Sequence, residues 1–460
     1  MQITVREILG ATNGRLAAGK AETTVTSVST DTRSIVAGAC FVAVAGEHRD
    51  GHAFLQQAAD KGAAALLASD GAAASKLMEY AGAVIIVADT VRALGDLAAW
   101  HRRILTGRVI GITGSCGKSS VKEMIGQVLA SRLKGYRAES SFNNFLGLPL
   151  TIFGGRPGDD YLIVEMGTSA PGEIRRLAEI AQPDIAVVTC VGPVHLEGLG
   201  SLDGIASEKE DLVRALRPGG LAVLNFDDPR VAAMAEAAET VCSFGVTDGD
   251  VVAGNVRTFP GQVLFTLDSG TEVRLPVPGR HNVLNALAAV VVAREFGLAD
   301  EDIAAALGRY RPLKMRLERE ELPGGVTLID DCYNANPLSS RAALEILSEQ
   351  PARRRLVLVQ GDMLELGAES ESMHTELGRS VAASRVHMLV TVGSATRALS
   401  LAASRRTDLM RFHFPDSKAA AEEVPALLED GDVVLVKGSR GLALEHVVEA
   451  IRKTFGGPSR

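Results

Sequence analysis

Short apolar runs alternate with helical spacings along most of the chain. The β-branched stretch Arg108–Thr113 and the runs YLIVE (161–165), DIAVVTC (184–190) and LAVLN (221–225) each lie near the end of a helical pattern. Runs without polar alternation predict strands buried on both faces, as in a parallel sheet with helices on either side. After the first run, Val121, Ile125, Val128, Leu129 and Leu133 recur at helical spacing. Residues 251–277 break the alternation and predict an antiparallel excursion ending at Pro276 and Pro278. Around Arg311–Pro312 the alternation restarts with VTLID (326–330), RLVLVQ (355–360), HMLVTV (387–392) and DVVLVK (432–437), which predicts a second α/β sheet of Rossmann type. Residues 1 to about 86 mix short strands with Ala-rich helices: Phe54, Leu55, Ala58 and Ala59 have helical spacing, and a further helix is predicted over 91–104. No internal repeat or low-complexity tract is present. The pattern predicts three α/β domains over 1–86, 87–312 and 313–460, the middle one with a mostly parallel sheet.

Length supports the same division, since 460 residues at roughly 150 per domain give about three. Hydrophobic residues make up 46% and charged residues 23%, a globular balance. Lys plus Arg is 48 against 56 for Asp plus Glu, a net charge of −8 with no long basic run, which argues against nucleic-acid and membrane-surface partners. Cys40, Cys116, Cys190, Cys242 and Cys332 are scattered, odd in number and free of any C-x-x-C pair. They predict reduced thiols in a cytoplasmic protein. The start, MQITVREILG, lacks the apolar core of a signal peptide, and no apolar run approaches the roughly 18 residues of a membrane span, so membrane insertion is not expected.

The strongest chemical signal is GITGSCGKSS (111–120), between a predicted strand and a predicted helix. Glycines let successive N–H groups face an anion, and the helix start adds its partial positive charge. Lys118 would reach the β- and γ-phosphates and the Ser119 hydroxyl would bind Mg²⁺. The strict G-x-x-x-x-G-K-[ST] pattern misses by one place, because Ile112 occupies its first glycine position. Glu165 closes YLIVE, and His195 follows DIAVVTC, so both are expected at the same sheet edge as the loop. Alone, His195 reads sooner as a loop hydrogen-bonder than as a ligand, and Lys209, in SEKED, as merely a surface charge. In GRHNVLNALAAV (279–290) an N-cap role suffices for Asn282, whereas Asn285, inside an apolar helix, suits an adenine edge. DDCYNANP (330–337), GDMLELG (361–367) and VKGSRG (436–441) each follow a predicted strand and mark the ligand edge of the third domain.

Taken together, these residues resemble the Mur ligases, the ATP-dependent amino-acid-adding enzymes of peptidoglycan synthesis. The family's loop, T-G-[ST]-x-G-K-[ST], accounts for Thr113 to Ser119 and for the misfit at Ile112. EMGTSAPGEI, the DDCYNANP run, GDMLELG with His374, and VKGSRG with Glu445 are similar to the member that joins D-alanyl-D-alanine to UDP-N-acetylmuramoyl-tripeptide. The resemblance implies a UDP-sugar-binding first domain, a central P-loop mononucleotide-binding domain and a C-terminal domain on the D-Ala-D-Ala side. It implies ATP at Gly114, Ser115, Cys116, Gly117, Lys118, Ser119 and Ser120, with Asn285 on the adenine side and Arg316 and Asp331 where the third domain meets the nucleotide. It implies Mg²⁺, two ions, at Ser119, Glu165, His195 and Lys209, the last as a carbamate, and it makes Lys118, Glu165, His195 and Lys209 the catalytic set. Ser29, Asp31, Arg33, Phe41, Gly46 and His52 resemble the segment that holds the UDP-sugar end. Asn143 and Asn144 resemble the acceptor channel, and Asn334 and Asn336 are expected on the substrate side. A cytoplasmic monomer acting on small molecules, with roles in cell-wall biogenesis, cell shape and division, is the expectation.

Two departures from the family pattern stand out: Ser119-Ser120 replaces the commoner Thr-Thr, and Lys314-Met315-Arg316 lacks the glycine often found before that arginine. Other readings fit less well. The ligase for diaminopimelate or lysine carries an Asp-Asn-Pro-Arg motif in its third domain. Here Gly361-Asp362-Met363 holds the comparable strand end, and Asp227-Asp228-Pro229-Arg230 lies in the central domain. A folylpolyglutamate synthase would lack a UDP-type first domain, and a P-loop GTPase would carry Asn-Lys-x-Asp. A non-catalytic UDP-sugar-binding relative is expected to have lost Lys118, Glu165, His195 or Lys209, and all four are present.

Overall fold

A computed structural model describes residues 2–46, 49–71, 80–138 and 141–456. Its centre is a seven-stranded parallel sheet in the order Val251–Val252, Thr240–Gly245, Leu221–Asn225, Ile185–Val188, Arg108–Thr113, Tyr161–Glu165, Gly135–Arg137. Arg108–Thr113 pairs with Tyr161–Glu165 on one side and Ile185–Val188 on the other. Chain order reverses across it, so the loop after Thr113 opens into the crevice at the switch point of the sheet. Alternate residues of one strand serve opposite faces. Ile110 and Ile112 pack with the helices Lys118–Leu129 and His281–Glu295. Val109 packs with Leu162, Val164 and the helices Glu173–Ala181 and Leu202–Arg214.

The expected excursion is present but begins later than its apolar pattern suggested. Val251–Val252 still belongs to the parallel sheet, beside Thr240–Gly245. Gly254–Phe259, Gln262–Thr266 and Glu272–Leu275 then form an antiparallel sheet. Its alternating Val263, Phe265, Val273 and Leu275 join the core under the helix His281–Glu295. Past the helix Lys118–Leu129, Leu133 still packs against that core.

The third sheet orders as Glu318–Glu321, Thr327–Asp331, Val433–Lys437, Leu356–Gly361, Met388–Val392, Met410–Phe414. The strand Glu318–Glu321 is antiparallel and the others parallel. Its four central strands match the expected runs within a residue, while the two edges were not foreseen.

In the first part, Ser27–Ser29, Ala39–Val42, Ala65–Ala68 and Ala83–Ile86 are parallel, with Arg15–Ala18 antiparallel at the edge. The spacing from Phe54 resolves into a short 3₁₀ turn, Gly51–Phe54, followed by the helix Leu55–Asp60. The next expected helix runs Thr90–Arg102, started by Asp89, whose carboxylate accepts from the amides of Val91 (2.8 Å) and Arg92 (3.0 Å). This helix is shared between two cores: Ala93, Leu94 and Leu97 pack with the first sheet, and Ala98 with the central one. Arg102, at its end, is buried, donating to Asp184 (2.7 Å) and to the Ala181 carbonyl (2.9 Å). No helix among the described residues is long and apolar enough to cross a membrane.

Candidate active site

The loop after Thr113 is shaped by two glycines. Gly114 adopts φ +146°, and a Cβ there would lie 1.9 Å from the Thr189 hydroxyl oxygen. Gly117 adopts φ +82°, where a Cβ would lie 2.5 Å from Asn285 Oδ1. The backbone must therefore approach both neighbours without a side chain. Between them, the Ser115 amide donates to the Cys190 carbonyl (2.8 Å), while its hydroxyl donates to the Gly192 carbonyl (3.0 Å) and accepts from the Gly192 amide (2.8 Å). These bonds hold the loop against the segment after Ile185–Val188. The helix Lys118–Leu129 then starts with no side-chain cap, so its first N–H groups are left for an anion. Lys118 Nζ curls back to the Gly114 carbonyl (2.7 Å), within reach of the same space.

Ser119 is the meeting point. Its hydroxyl donates to Glu165 Oε2 (2.8 Å) and accepts from Arg316 Nη2 (3.0 Å), with Ser141 Oγ at 3.2 Å. Asn143 Nδ2 donates to the other Glu165 oxygen (3.0 Å). Glu165 is 3% exposed, and no cation pairs with it among the described residues. A buried carboxylate held only by neutral donors leaves a charge to be balanced. Together with the Ser119 hydroxyl it offers hard oxygen ligands of the kind Mg²⁺ takes. Ser120 and Tyr310 line the same cavity.

His195 does not join Glu165 in a ready-made cage, and among the described residues no group of three or more His, Cys, Asp or Glu side chains is positioned to hold a metal. In a left-handed backbone (φ 52°), His195 bonds through Nδ1 to the carboxylate of Glu365 in the third domain. Burial lowers its pKa, opposed by Glu365. Lys209, expected on its own merits to be a surface charge, is 2% exposed. Its ammonium has no hydrogen bond or ion pair among the described residues, and burial, with Lys118 nearby, pushes it down to about 7.

The third domain closes over the loop. The Arg316 guanidinium stacks on Tyr333, 4.2 Å from the ring centroid. Met315 before it adopts φ 62°, a left-handed conformation natural to glycine, which gives a physical reason for the glycine common at this place in the family. Asp331 is held by Lys437 (2.6 Å) and by the Leu317 amide (3.2 Å). Lys437 also bonds the Asn334 carbonyl (3.0 Å), while Asn334 Oδ1 accepts from the Ala335 amide (2.9 Å). Asn336 caps the helix Pro337–Ser348, accepting from Ser339 N (2.9 Å), and its amide group meets the Cys116 thiol at 3.1 and 3.3 Å. His374 is buried and positions the GDMLELG loop, accepting from the Met363 amide (3.0 Å) and bonding the Ser370 carbonyl (2.7 Å). Glu445 pairs with Arg440 (2.8 Å). A cavity of about 930 Å³ joins these parts: Gly46 from the first domain, Ser115 to Ser120, Asn143, Asn144, Glu165, His195 and Asn285 from the centre, and Arg316, Asp331, Asn334 and Asn336 from the third.

Several expected residues are placed otherwise. Phe41 is 1% exposed and packs in the first domain's core, so its ring is unavailable to a ligand. His52 is buried and satisfied within its own domain: Nδ1 meets Asp50 (2.6 Å) and Nε2 accepts from the Ser69 amide (3.0 Å). Ser29, Asp31 and Arg33 form a local turn outside the cavity lining, the Asp31 carboxylate accepting from the Arg33 amide (2.8 Å) and side chain. That pairing with Arg33 holds Asp31 down to about 2. Asn282 is not the N-cap: it sits inside the first turn, its Nδ2 donating to the Pro278 carbonyl (2.7 Å) and its Oδ1 accepting from Asn285 (3.0 Å). Asn144 accepts from the Gly147 amide (2.9 Å) at the start of the helix Gly147–Gly154.

Three residues were not singled out from sequence. Glu365 lies in a motif already marked, but its partner is 170 residues away. His281, beside Asn282, lines the cavity and burial pushes it down to about 4, so it is neutral. Glu208 is buried and accepts from the amides of Gly172 and Ile174 (both 2.7 Å), tethering the EMGTSAPGEI loop.

Family models match three segments: "Mur ligase family, catalytic domain" over residues 24–102, "Mur ligase middle domain" over 112–293 and "Mur ligase, glutamate ligase domain" over 315–440. The UDP-N-acetylmuramoyl-tripeptide–D-alanyl-D-alanine ligase of Escherichia coli is 35% identical, over 98% of this chain and 99% of its own. The ligase of the same name from Mycobacterium tuberculosis is 38% identical over 92% of each. Among solved structures, MurF from Acinetobacter baumannii superposes with a TM-score of 0.89 at 32% identity, over 98% of this chain and 99% of that one. MurF ligase from Thermotoga maritima, in complex with ADP, superposes with a TM-score of 0.83 at 28% identity, over 94% and 98%.

Proposed function

The chain belongs to the Mur ligase family, and from that premise we infer that it joins D-alanyl-D-alanine to UDP-N-acetylmuramoyl-tripeptide with ATP, forming a peptide bond in peptidoglycan precursor synthesis. The observation that carries this reading is the convergence on Ser119. A phosphate loop, a buried carboxylate and an arginine from the third domain meet there, on a cavity that also reaches the first domain.

Oxide is not expelled from a carboxylate at neutral pH, so the tripeptide's terminal carboxylate must first gain a leaving group. It attacks the γ-phosphorus of ATP, giving an acyl phosphate and ADP. The dipeptide amine then attacks the acyl carbon, and the tetrahedral intermediate collapses with loss of phosphate. In our reading the loop amides and Lys118 hold the β- and γ-phosphates, and Arg316 stabilises charge on the phosphoryl group in transfer. Asn285 lies on the nucleotide side beside Gly117, and Asp331 sits at the third domain's edge toward the ribose. Asn143, Asn144, Asn334 and Asn336 bound the acceptor space, and Gly46 lets the UDP-sugar end approach backbone. Ser119 and Glu165 would hold Mg²⁺, with His195 and Lys209 completing a second site. When bound, the ions offset the repulsion between the two reacting anions.

Lys209 supports a carbamate. A buried amine held down to about 7 has a large neutral fraction near neutral pH, and the nitrogen of that form can attack CO₂, losing a proton as the N–C bond forms. A buried amine without a partner thereby becomes an anion suited to a metal. Labelled CO₂ should give a carbamate carbon signal that Lys209→Met abolishes. A signal retained in that variant overturns the assignment.

We further propose that one chain suffices as a monomer in the cytoplasm, with residues 1–86, 87–312 and 313–460 as the sugar, ATP and dipeptide domains. The direct test is phosphate release from ATP with UDP-MurNAc-tripeptide, with and without D-Ala-D-Ala. Release that requires both, with a product heavier by one dipeptide, is expected. Release instead with UDP-MurNAc-dipeptide and diaminopimelate or lysine would move the enzyme one step earlier.

A further inference from the structure

Two of the five cysteines meet at the phosphate loop, and nothing in the ligase chemistry above uses their sulfur. Cys116 stands between Ser115 and Gly117, and Cys190 ends the segment to which the loop is bonded. The Cys190 sulfur accepts from the Cys116 amide at 3.3 Å and lies 3.8 Å from the Cys116 carbonyl oxygen, so the two side chains start from adjacent backbone. The Cys190 thiol donates to that carbonyl, the Cys116 thiol donates to Asn336 Oδ1 (3.3 Å), and both cysteines line the cavity. Cys40 and Cys332, by contrast, are buried in cores, and burial pushes both thiols up.

We infer that Cys116 and Cys190 form an oxidation site for hydroperoxides that closes as a disulfide across the phosphate loop and shuts off nucleotide binding.

The two sulfurs are unequal in the way such a site requires. Cys190 beside it, then the hydrogen bonding to Asn336, with Lys118 and Lys437 beyond, holds the Cys116 thiol below its ordinary value, whereas Cys190 is pushed up. Cys116 also sits at the uncapped start of the helix Lys118–Leu129, where partial positive charge favours a thiolate. The Cys116 thiolate donates its electron pair to the near oxygen of the hydroperoxide. The O–O bond breaks, and the leaving oxygen takes a proton from water. The resulting sulfenic acid is attacked by the Cys190 sulfur: the S–S bond forms, the S–O bond breaks, and hydroxide leaves with the Cys190 proton as water. In sum, two thiols and one hydroperoxide give one disulfide, one water and one alcohol, the alcohol being a second water when the oxidant is hydrogen peroxide.

Three contacts change with that bond. The Cys190 sulfur is drawn from the Cys116 amide, Cys116 leaves Asn336, and the loop between Gly114 and Gly117 is pinned to the strand side. The oxidised loop can no longer wrap a triphosphate, and the third domain loses a contact to it. Reduction by a dithiol reverses both.

The test uses the full chain, treated with hydrogen peroxide and analysed without reductant. Expected is a protein lighter by its two thiol hydrogens, a peptide cross-link joining Cys116 to Cys190, and at least about tenfold weaker binding of a fluorescent ADP analogue, restored by dithiothreitol. ADP with Mg²⁺ present during treatment should slow cross-linking. In Cys190→Ser the cross-link is absent, and a dimedone adduct forms on Cys116 instead. Nucleotide binding and mass are read without the dipeptide, so the outcome is separate from the substrate assignment. The inference is overturned if peroxide leaves both thiols free, if the cross-link joins other cysteines, or if the cross-linked protein binds the analogue as before.

Discussion

The phosphate-loop end of the cavity and the first-domain segment expected to hold the sugar are built in opposite ways. Around Ser119 the bonds are long in sequence: Glu165 is 46 residues away and Arg316 is 197. In the first domain Ser29, Asp31 and Arg33 satisfy one another within a few positions, as do Asp50 and His52. Polar groups brought together from distant parts of the chain are retained against the cost of ordering them, and they mark where a ligand's charge is met. Polar groups satisfied by near neighbours make turns. A motif therefore assigns a place in the fold more securely than it assigns a contact.

That contrast can be broken most severely at the loop. Lys118→Ala and Glu165→Ala should each lower phosphate release about a thousandfold or more while thermal unfolding shifts little. A loss under tenfold in both would separate Ser119 from the reacting centre. Arg316→Ala should cost about a hundredfold in kcat, and Arg316→Lys should not restore it, because the guanidinium both reaches Ser119 and stacks on Tyr333. Next comes pH. Lys209 is held down to about 7, so acid converts it to an ammonium that cannot take up CO₂. Steady-state phosphate release should fall as pH drops below about 7, roughly tenfold per unit, and level off above it. At the other end of the molecule, His52→Ala should leave kcat unchanged and destabilise by about 1–3 kcal/mol in denaturant titration, since the Ser69 amide loses its acceptor. The smallest net effect is Met315→Gly: relief of a left-handed backbone opposes the loss of the side chain's packing against the third-domain core, so stability in denaturant titration should change by no more than about 1 kcal/mol.

Much of this architecture was legible because buried parallel strands are written as unbroken apolar runs. Tyr161–Glu165 and Leu221–Asn225 are found where their letters place them. Edges are not written that way. Glu318–Glu321 is a strand made wholly of charged residues, held by its pairing with Thr327–Asp331, and nothing apolar announces it. Loop glycines were legible as a phosphate loop because their conformations are local. The partnership of His195 with Glu365 was not, because it depends on how two sheets dock. Asn282 misled for a related reason. An Asn near a helix start has a strong capping preference, but here the oxygen is taken by Asn285, one turn along.

The helix Thr90–Arg102 has a consequence for how the chain unfolds. Because Leu94 and Leu97 complete one core while Ala98 and the buried Arg102 complete the next, neither sheet keeps its covering if the other melts. The first two sheets should therefore lose structure in one cooperative step, and a fragment ending at residue 86 should leave its hydrophobic face bare and aggregate. A recombinant piece meant to display the first sheet must extend through Arg102 and bring the central sheet with it.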